Sequence, residues 1–456
     1  MDIQQTTVIN EINAVLKDGV KPVFHRLEFT VHTPNGDVKP LFVIDMDVDR
    51  NYIKNHFDVV TIQGAIPKGQ YNYYIQPNKT QLEVTVRRIP LTEARHAVDD
   101  FDTEIRTQRF RATLYSDKSG VIEGNDPTVA NINKADMTDY VTVRFQLMEE
   151  VVHRIRKQSV GGIYHDCTGI DVVRFILTTA SKEAKVDSST AVKGVTIARN
   201  SNTEVRNNII IGHHVRFIDF PYLVNQICGG IYSAGFHYYL QDRYWFVYAP
   251  FDITAYHASR KSLTIVNVPN GRFPEPERSY RVTKTQVIVL STGQTKHNDL
   301  SESAQLNTGN GLRFVDANKI MDDFLKVEGN KAVASRTENV SEIMSEPRAD
   351  NLNHIVESPE RITANIFTQY LKLAEKSGAF IQAVWENSNP ELIYPGMPVK
   401  YMYVENNLSQ ELYGIVIGTH SFDAATNKGV ANRRFGTKTT ITLFVQRKVK
   451  IGTKDV

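Results

Sequence analysis

Cysteine is nearly absent: Cys167 and Cys228, two residues in 456, cannot supply a disulfide framework. Each lies in an apolar or loop context, so both are expected as reduced, buried thiols. An excess of charge of one sign is lacking too. The 53 basic and 51 acidic residues are intermingled and leave a net charge of +2, which does not fit a dedicated nucleic-acid binder. No apolar run approaches the ~20 residues of a membrane helix, so no stable membrane insertion is expected. The opening MDIQQTTVINEIN has neither the basic nor the apolar region of a secretory signal, and synthesis and retention in the cytoplasm follow as the expectation. Also missing are HExxH, a glycine-flanked Walker lysine, GxGxxG after a strand, GxSxG and paired CxxC elements. No catalytic residue and no cofactor is therefore assigned, and the chain reads as a non-enzyme.

What is present is ordinary core material. A hydrophobic fraction of 41%, with 20 Tyr and 21 Phe, belongs to a folded globular protein, and 456 residues exceed what one core usually serves. Thr7 to Leu16 place Val8, Ile9, Ile12, Val15 and Leu16 at helical spacing before Gly19, which predicts a short amphipathic helix in residues 1–20. Its apolar face serves either its own domain or a neighbouring subunit. From Val23 the period changes to two. Leu27, Phe29 and Val31 alternate up to Pro34-Asn35-Gly36-Asp37 and return through Val38 to Val48, and a second hairpin is predicted from Tyr71–Ile75 to Leu82, Val84 and Val86. Strands at Arg109–Tyr115 and Tyr140–Leu147 complete a predicted small barrel or sandwich.

The middle of the chain is mixed. Thr168 is placed to cap a helix carrying Val172, Val173, Ile176, Leu177 and Ala180, and Phe220–Cys228 reads as a second helix ended by Gly229-Gly230. The segment GFHYYLQDRYWFVYAPF reads as a hairpin turning at Asp242-Arg243, its aromatics filling a core. Residues 291–311 are polar and aperiodic, predicting a long loop. A short helical stretch around Ile320–Leu325 and a second polar stretch from Glu328 follow. Ser358, Pro359 and Gly378 bracket a predicted helix, after which four strands run from Phe380 to Val445.

Few residues suggest chemistry. His213 and His214 are strand neighbours pointing to opposite faces, and Tyr164-His165-Asp166-Cys167 reads as chance clustering, so no metal site is assigned. Asp45, Asp47 and Asp49 align on one strand face, but the calcium-loop glycine is missing, and a solvated or lumen-facing acidic strand is the reading. Asp45 and Asp47 would sit roughly 6–7 Å apart by strand rise. That leaves a β-rich cell-wall hydrolase as a lesser alternative, with Phe236–Phe251 as its site, since retaining glycosidases hold their carboxylates about 5 Å apart.

The C-terminal strands carry a resemblance. Leu392-Ile393-Tyr394-Pro395-Gly396-Met397-Pro398-Val399, then Leu412-Tyr413-Gly414-Ile415-Val416 with His420, and finally Phe435-Gly436-Thr437 to Leu443 resemble a pattern in the central hub proteins of contractile phage baseplates, the T4-type hub and late-control-like tail proteins. In that family a PG turn introduces a strand, and a YxGxV strand and a threonine-bearing strand follow. The residues carrying it are Pro395, Gly396, Met397, Tyr413, Gly414, Gly436 and Thr437. Their chemistry stands independently: Pro-Gly suits the centre of a type II turn, and Gly414 inside a strand marks a bulge or a close backbone approach.

The resemblance implies a β-rich α+β chain of two tail-tube-like β-barrel domains plus a mixed α/β domain. Residues 21–155 would be the first barrel, 156–255 the mixed domain, and 256–456 the second barrel with a polar insertion at 291–357. It implies a homotrimer whose six barrels ring the channel, a virion tail location and assembly in the host cytoplasm. The implied partners are the central spike protein, the tail tube or tube-initiator protein, the tape measure protein and baseplate wedge proteins, with DNA only in transit. A tail-tube adaptor or wedge protein of the same tail is the alternative reading.

Overall fold

The computed structural model describes residues 3–21, 24–91, 106–115, 140–188, 190–200, 202–232, 234–252, 261–268, 278–292, 378–405, 408–426 and 433–446, together with short strands between 296 and 357. The described chain is β-rich, with few helices. Its first element is α1 (Ile3–Asp18), which packs Val8, Ile12 and Val15 onto a sheet face and leaves Ile9 and Leu16 exposed. That face belongs to this chain's own strands, so the helix is tied down within the subunit.

The strands of the first part are β1 (His25–Thr33), β2 (Gly36–Val38), β3 (Phe42–Asn51), β4 (Val59–Pro67), β5 (Leu82–Pro90), β6 (Arg106–Leu114) and β7 (Tyr140–Glu149). They pair antiparallel in the order β3-β4-β7-β6-β5-β1. The predicted first hairpin is shorter than its pattern, because only Gly36–Val38 pairs with β1, and the chain breaks at Pro40 before β3 turns to other partners. Tyr71–Ile75 is not a strand. It winds as a π-helix after α2 (Lys68–Gln70), burying Tyr71 and Ile75 while Tyr73 points outward. Apolar residues at i and i+4 fit a helical turn, and the two-residue alternation hid it.

The middle part holds α3 (Glu150–Ile155), β8 (Ser159–Cys167), α4 (Gly169–Glu183), β9 (Gly194–Ile197), β10 (Arg206–Arg216), α5 (Phe220–Ile227), β11 (His237–Gln241) and β12 (Tyr244–Tyr248). Thr168 caps α4 reciprocally with Asp171, and Asp242 and Arg243 both take positive φ, as the two-residue hairpin between β11 and β12 requires. β8 pairs with β10, and β9 runs parallel to β12 in a second small sheet. Trp245, Phe217, Phe220, Leu177 and Tyr238 centre the core between them.

The last part contributes β13 (Ser262–Val268), β14 (Tyr280–Val282), β15 (Gln286–Thr292) and β16 (Lys296–Asp299), then β17 (Gly311–Val315), β18 (Lys326–Glu328), β19 (Lys331–Val333), β20 (Glu342–Ser345) and β21 (Ile355–Glu357) in two small sheets. The stretch 291–311, expected as loop, thus holds the end of β15 and all of β16. The predicted helices at 320–325 and 358–378 lie outside the described residues, except Gly378. β22 (Ala379–Trp385), β23 (Pro398–Glu405), β24 (Leu408–Ala425) and β25 (Phe435–Gln446) follow.

The resemblance implies two tail-tube-like barrels; the strands of both halves join one fifteen-stranded sheet, because β24 and β25, 18 and 12 residues long, reach strands of both. β24 pairs with β23 along Leu408–Ile415 and with β3 along Gly418–Ala424, while β25 runs beside it from Tyr413 to Ala425. β25 then meets β1 at Phe435 and His25, and β22 along Thr439–Val445. Two cores result. Leu27, Phe29, Val84, Phe145 and Phe435 fill the N-terminal side, and Leu263, Val289, Trp385, Tyr401 and Leu443 fill the C-terminal side.

Candidate functional site at the junction of three segments

Three segments far apart in sequence meet where the two halves of the sheet and the middle part come together: 50–58, 237–248 and 390–397. The first begins where β3 ends. Asn51 Oδ1 accepts hydrogen bonds from the amides of Ile53 (3.2 Å) and Lys54 (3.1 Å), turning the chain into a loop that lies along β11. In that loop Tyr52 is fully buried. Its hydroxyl donates to Gln241 Oε1 (2.8 Å), and Gln241 Nε2 donates to the Ile393 carbonyl (2.7 Å). Tyr248 adds a second link between the first two segments by donating to the Tyr52 carbonyl at 2.6 Å.

Charge is buried at the same place. Arg50 is 5% exposed; its Nε donates to Asp58 Oδ2 at 2.9 Å and its Nη2 to Glu391 Oε1 at 3.0 Å, and Tyr239 donates to Asp58 Oδ1 at 3.0 Å. Burial opposes the guanidinium's charge, but Asp58 and Glu391 together hold it protonated. Burial wins at Asp58 and raises its carboxyl, whereas at Glu391 burial is outweighed by Arg50 and the group stays below its ordinary value. Glu149, at the end of β7, faces the same cluster. Burial, reinforced by the Asp58 charge, pushes it up to about 7.

Aromatic and imidazole rings complete the junction. His56 stacks on Tyr238 with centroids 4.4 Å apart and donates from Nδ1 to the Tyr238 carbonyl (3.2 Å), while His237 donates from Nε2 to the Asn55 carbonyl at 2.8 Å. Burial pushes His237 down to about 3, so it is neutral at ordinary pH.

These groups predict a pH profile. His237 has its folded pKa below its unfolded one, so its contribution is complete above pH 6.5 and is lost as pH falls from 6.5 towards 3. Glu149 has the opposite sign, being harmless below pH 4.5 and increasingly unfavourable as pH rises to about 7. Between pH 4.5 and 6.5 the contributions of these two groups therefore oppose each other. Glu149→Gln should raise stability at pH 8 by on the order of 2 kcal/mol and leave it unchanged at pH 4. An equal effect at both pH values would contradict this account.

The residues that carry the resemblance fall at two places. Pro395 and Gly396 form the turn from Tyr394 to Met397, closed by the Met397 amide donating to the Tyr394 carbonyl at 3.1 Å. Gly396 has φ +72°, and a Cβ there would lie 2.8 Å from the Tyr248 ring, so the turn seats directly on the aromatic hairpin. Met397 is fully buried, and its carbonyl accepts from the Val416 amide at 2.9 Å. Tyr413 and Gly414 lie next along the same ladder, Tyr413 donating to Glu411 Oε2 at 2.9 Å and Gly414 opposite Val399 and Val445. The bulge in β24 lies beyond them, between Val416 and Gly418.

Gly436 and Thr437 sit at the far end of β24 and β25. Thr437 donates to Asp423 Oδ1 at 2.6 Å, and Arg88 from β5 and His25 from β1 also meet this 1% exposed carboxylate. Burial pushes Asp423 up, but Arg88 foremost, then His25 and Thr437, hold it below the usual range. This cluster pins β25 to the first half of the sheet.

Arg50, Asp58 and Glu391 went unrecognised in the sequence. One signal was available: Met46, Val48 and Arg50 share the inward-facing register of β3, and an arginine there implies a buried counter-ion. The other sequence candidates do not assemble into a reaction centre. Asp45, Asp47 and Asp49 share the opposite face of β3, where Asp47 meets His420 at 3.1 Å and Asp45 lies 3.8 Å from Arg144. The aromatic segment 236–251 is largely buried rather than lining a cleft. His213 and His214 are exposed on β10, Cys167 and Cys228 are free thiols, and among the described residues no cluster of His, Cys, Asp or Glu is arranged to hold a metal. No helix among the described residues is long and apolar enough to cross a membrane.

No family model matches the sequence, and no curated protein does. Solved structures to which the chain is similar include tail proteins and a type VI secretion system component. A tail protein from Neisseria meningitidis is 10% identical, with 92% of this chain and 96% of that one covered and a TM-score of 0.45. The 43 kDa tail protein of prophage MuSo2 from Shewanella oneidensis is 8% identical over 92% of this chain and 99% of its own, with a TM-score of 0.47. A type VI secretion system component from E. coli is 9% identical over 92% of this chain and 77% of its own, with a TM-score of 0.41.

Proposed function

We propose that this chain is the structural hub of a phage tail baseplate, a homotrimeric ring that joins the central spike to the tail tube around the DNA channel. The observation that carries the reading is that β24 and β25 belong at once to a closed pairing circuit and to a second row of strands. The circuit runs β1-β5-β6-β7-β4-β3-β24-β25 and returns to β1. The row runs β15-β13-β23-β24-β25-β22-β16, and β15 at its one end lies against β22 near the other without pairing with it. On this reading they are two tube-like barrels that share their longest strands, the first built from 21–155 together with β24 and β25 and the second within 256–456, and 156–255 is the mixed domain seated on the Pro395-Gly396 turn.

A chain with two fused barrels suits a symmetry mismatch, since three copies present six barrels to a sixfold tube and three positions to a threefold spike. The partners are then the spike, the tube or its initiator, the tape measure and the wedge proteins, with DNA passing through, and the location is the virion tail after assembly in the host cytoplasm. Light scattering on the purified full chain, alone and mixed with spike protein, is expected to give a trimer. A stable monomer in both samples would overturn the reading. Six copies per tail by mass count would instead indicate a tube adaptor or wedge subunit.

A further inference from the structure

We infer that the ribbon of β8 and β10 is an interface between copies of this chain, the outer edge of β8 in one copy pairing with the outer edge of β10 in the next. Among the described residues these two strands pair only with each other, so each has a second edge. Natural proteins guard such edges with charge, proline or bulges, since unguarded ones template pairing with another chain. Here Val160–His165 and Asn207–His214 contain no Lys, Arg, Asp, Glu or Pro, and the one guard is the bulge between Ile211 and Val215 at the far end.

The side chains point the same way. Ile209 and Ile211 are buried in the core of the middle part, so Ile210 necessarily faces out and is 66% exposed. Its partner across the ladder, Ile163, is 60% exposed. Two isoleucines placed opposite each other on a solvent face contribute nothing to their own core, but they would pack between neighbouring ribbons in a continued sheet.

Charge selects the occupant. The only charges on β10 are Arg206 and Arg216 at its ends, held by the exposed Glu204 at 3.0 Å and Asp219 at 2.6 Å, and antiparallel self-pairing about Ile211 would set the two guanidiniums against each other. The only charge on β8 is Asp166, and continuing the register in which Cys167 faces Arg206 brings it beside that arginine of the next copy. Edges that are complementary rather than identical give a head-to-tail contact, which closes into a ring when the rotation permits. The inference rests on the proposed ring only for the number of copies.

The test uses the full chain with Cys167→Ser. Co-expressed Ile163→Cys and Ile210→Cys chains, carrying different tags, should form a disulfide-linked pair on oxidation with copper phenanthroline, and neither variant alone should do so. In parallel, Ile163→Lys/Ile210→Lys should abolish the assembly seen by light scattering while leaving the circular dichroism melt unchanged, since both positions are exposed. Self-linking of Ile163→Cys alone would mean a two-fold contact and overturn the inference, as would a wild-type assembly that persists in the lysine variant. Growth of the wild-type assembly beyond three copies in light scattering would uphold the ribbon contact and count against the trimeric ring.

Discussion

Replacing Arg50 with methionine is expected to destabilise the chain by about 3–5 kcal/mol at pH 8, as removal of one partner from a buried ion pair generally does. The loss is not the strength of one bond. Without the guanidinium, Asp58 and Glu391 face each other and Glu149 with no cation between them, in a place where burial already raises Asp58 and Glu149. The remaining carboxylates can take up protons, so the deficit should shrink on going from pH 8 to pH 5. Neutralising the partners as well, in Arg50→Met/Asp58→Asn/Glu391→Gln, should recover much of the loss. Trp245 and Trp385 lie in different cores, so variants keeping one or the other report on each core in denaturant titrations, and both midpoints should fall because Arg50 links β3 to the 390–397 segment beside the aromatic hairpin. A loss that is the same at both pH values would show that packing of the side chain, not charge, is what matters there.

Gly414→Ala is the second large effect, expected to exceed about 4 kcal/mol or to prevent folding. A Cβ at this position would stand 1.9 Å from the Phe444 carbonyl oxygen and 2.8 Å from Val445 Cα. Both atoms are backbone of β25, directly across the ladder, so relief requires separating the two strands that hold the halves of the sheet together. Gly436→Ala provides the control. Its Cβ would meet the Thr426 methyl at 3.2 Å and the Phe24 ring at 3.6 Å, side-chain atoms with room to shift, and the cost should stay within about 1 kcal/mol. Urea titrations followed by tryptophan fluorescence compare the two. Equal costs would mean that close backbone approach does not explain why glycine stands at 414.

Much of this was legible in the residues. The amphipathic spacing of Val8, Ile12 and Val15, the Thr168 cap, the Asp242-Arg243 turn and the alternation in β5, β7 and β25 are local, and each element formed where its pattern placed it. The pattern misled at Tyr71–Ile75, where two apolar residues four apart satisfy a helical turn as well as a strand.

The sequence by itself determined the β-rich character, most element positions and the glycine and proline turns, because side-chain periodicity and backbone freedom act within a few residues. Tertiary structure alone decided that the strands join one sheet, that β24 and β25 serve both halves, and that Arg50 finds its counter-ions at Asp58 and Glu391. Two of the contacts behind those outcomes, β3 with β24 and Arg50 with Glu391, join residues more than three hundred positions apart, while Asp58 lies eight from Arg50. Strand partners and buried ion pairs are chosen by the free energy of the closed core as a whole, and that leaves no periodic trace in any single segment.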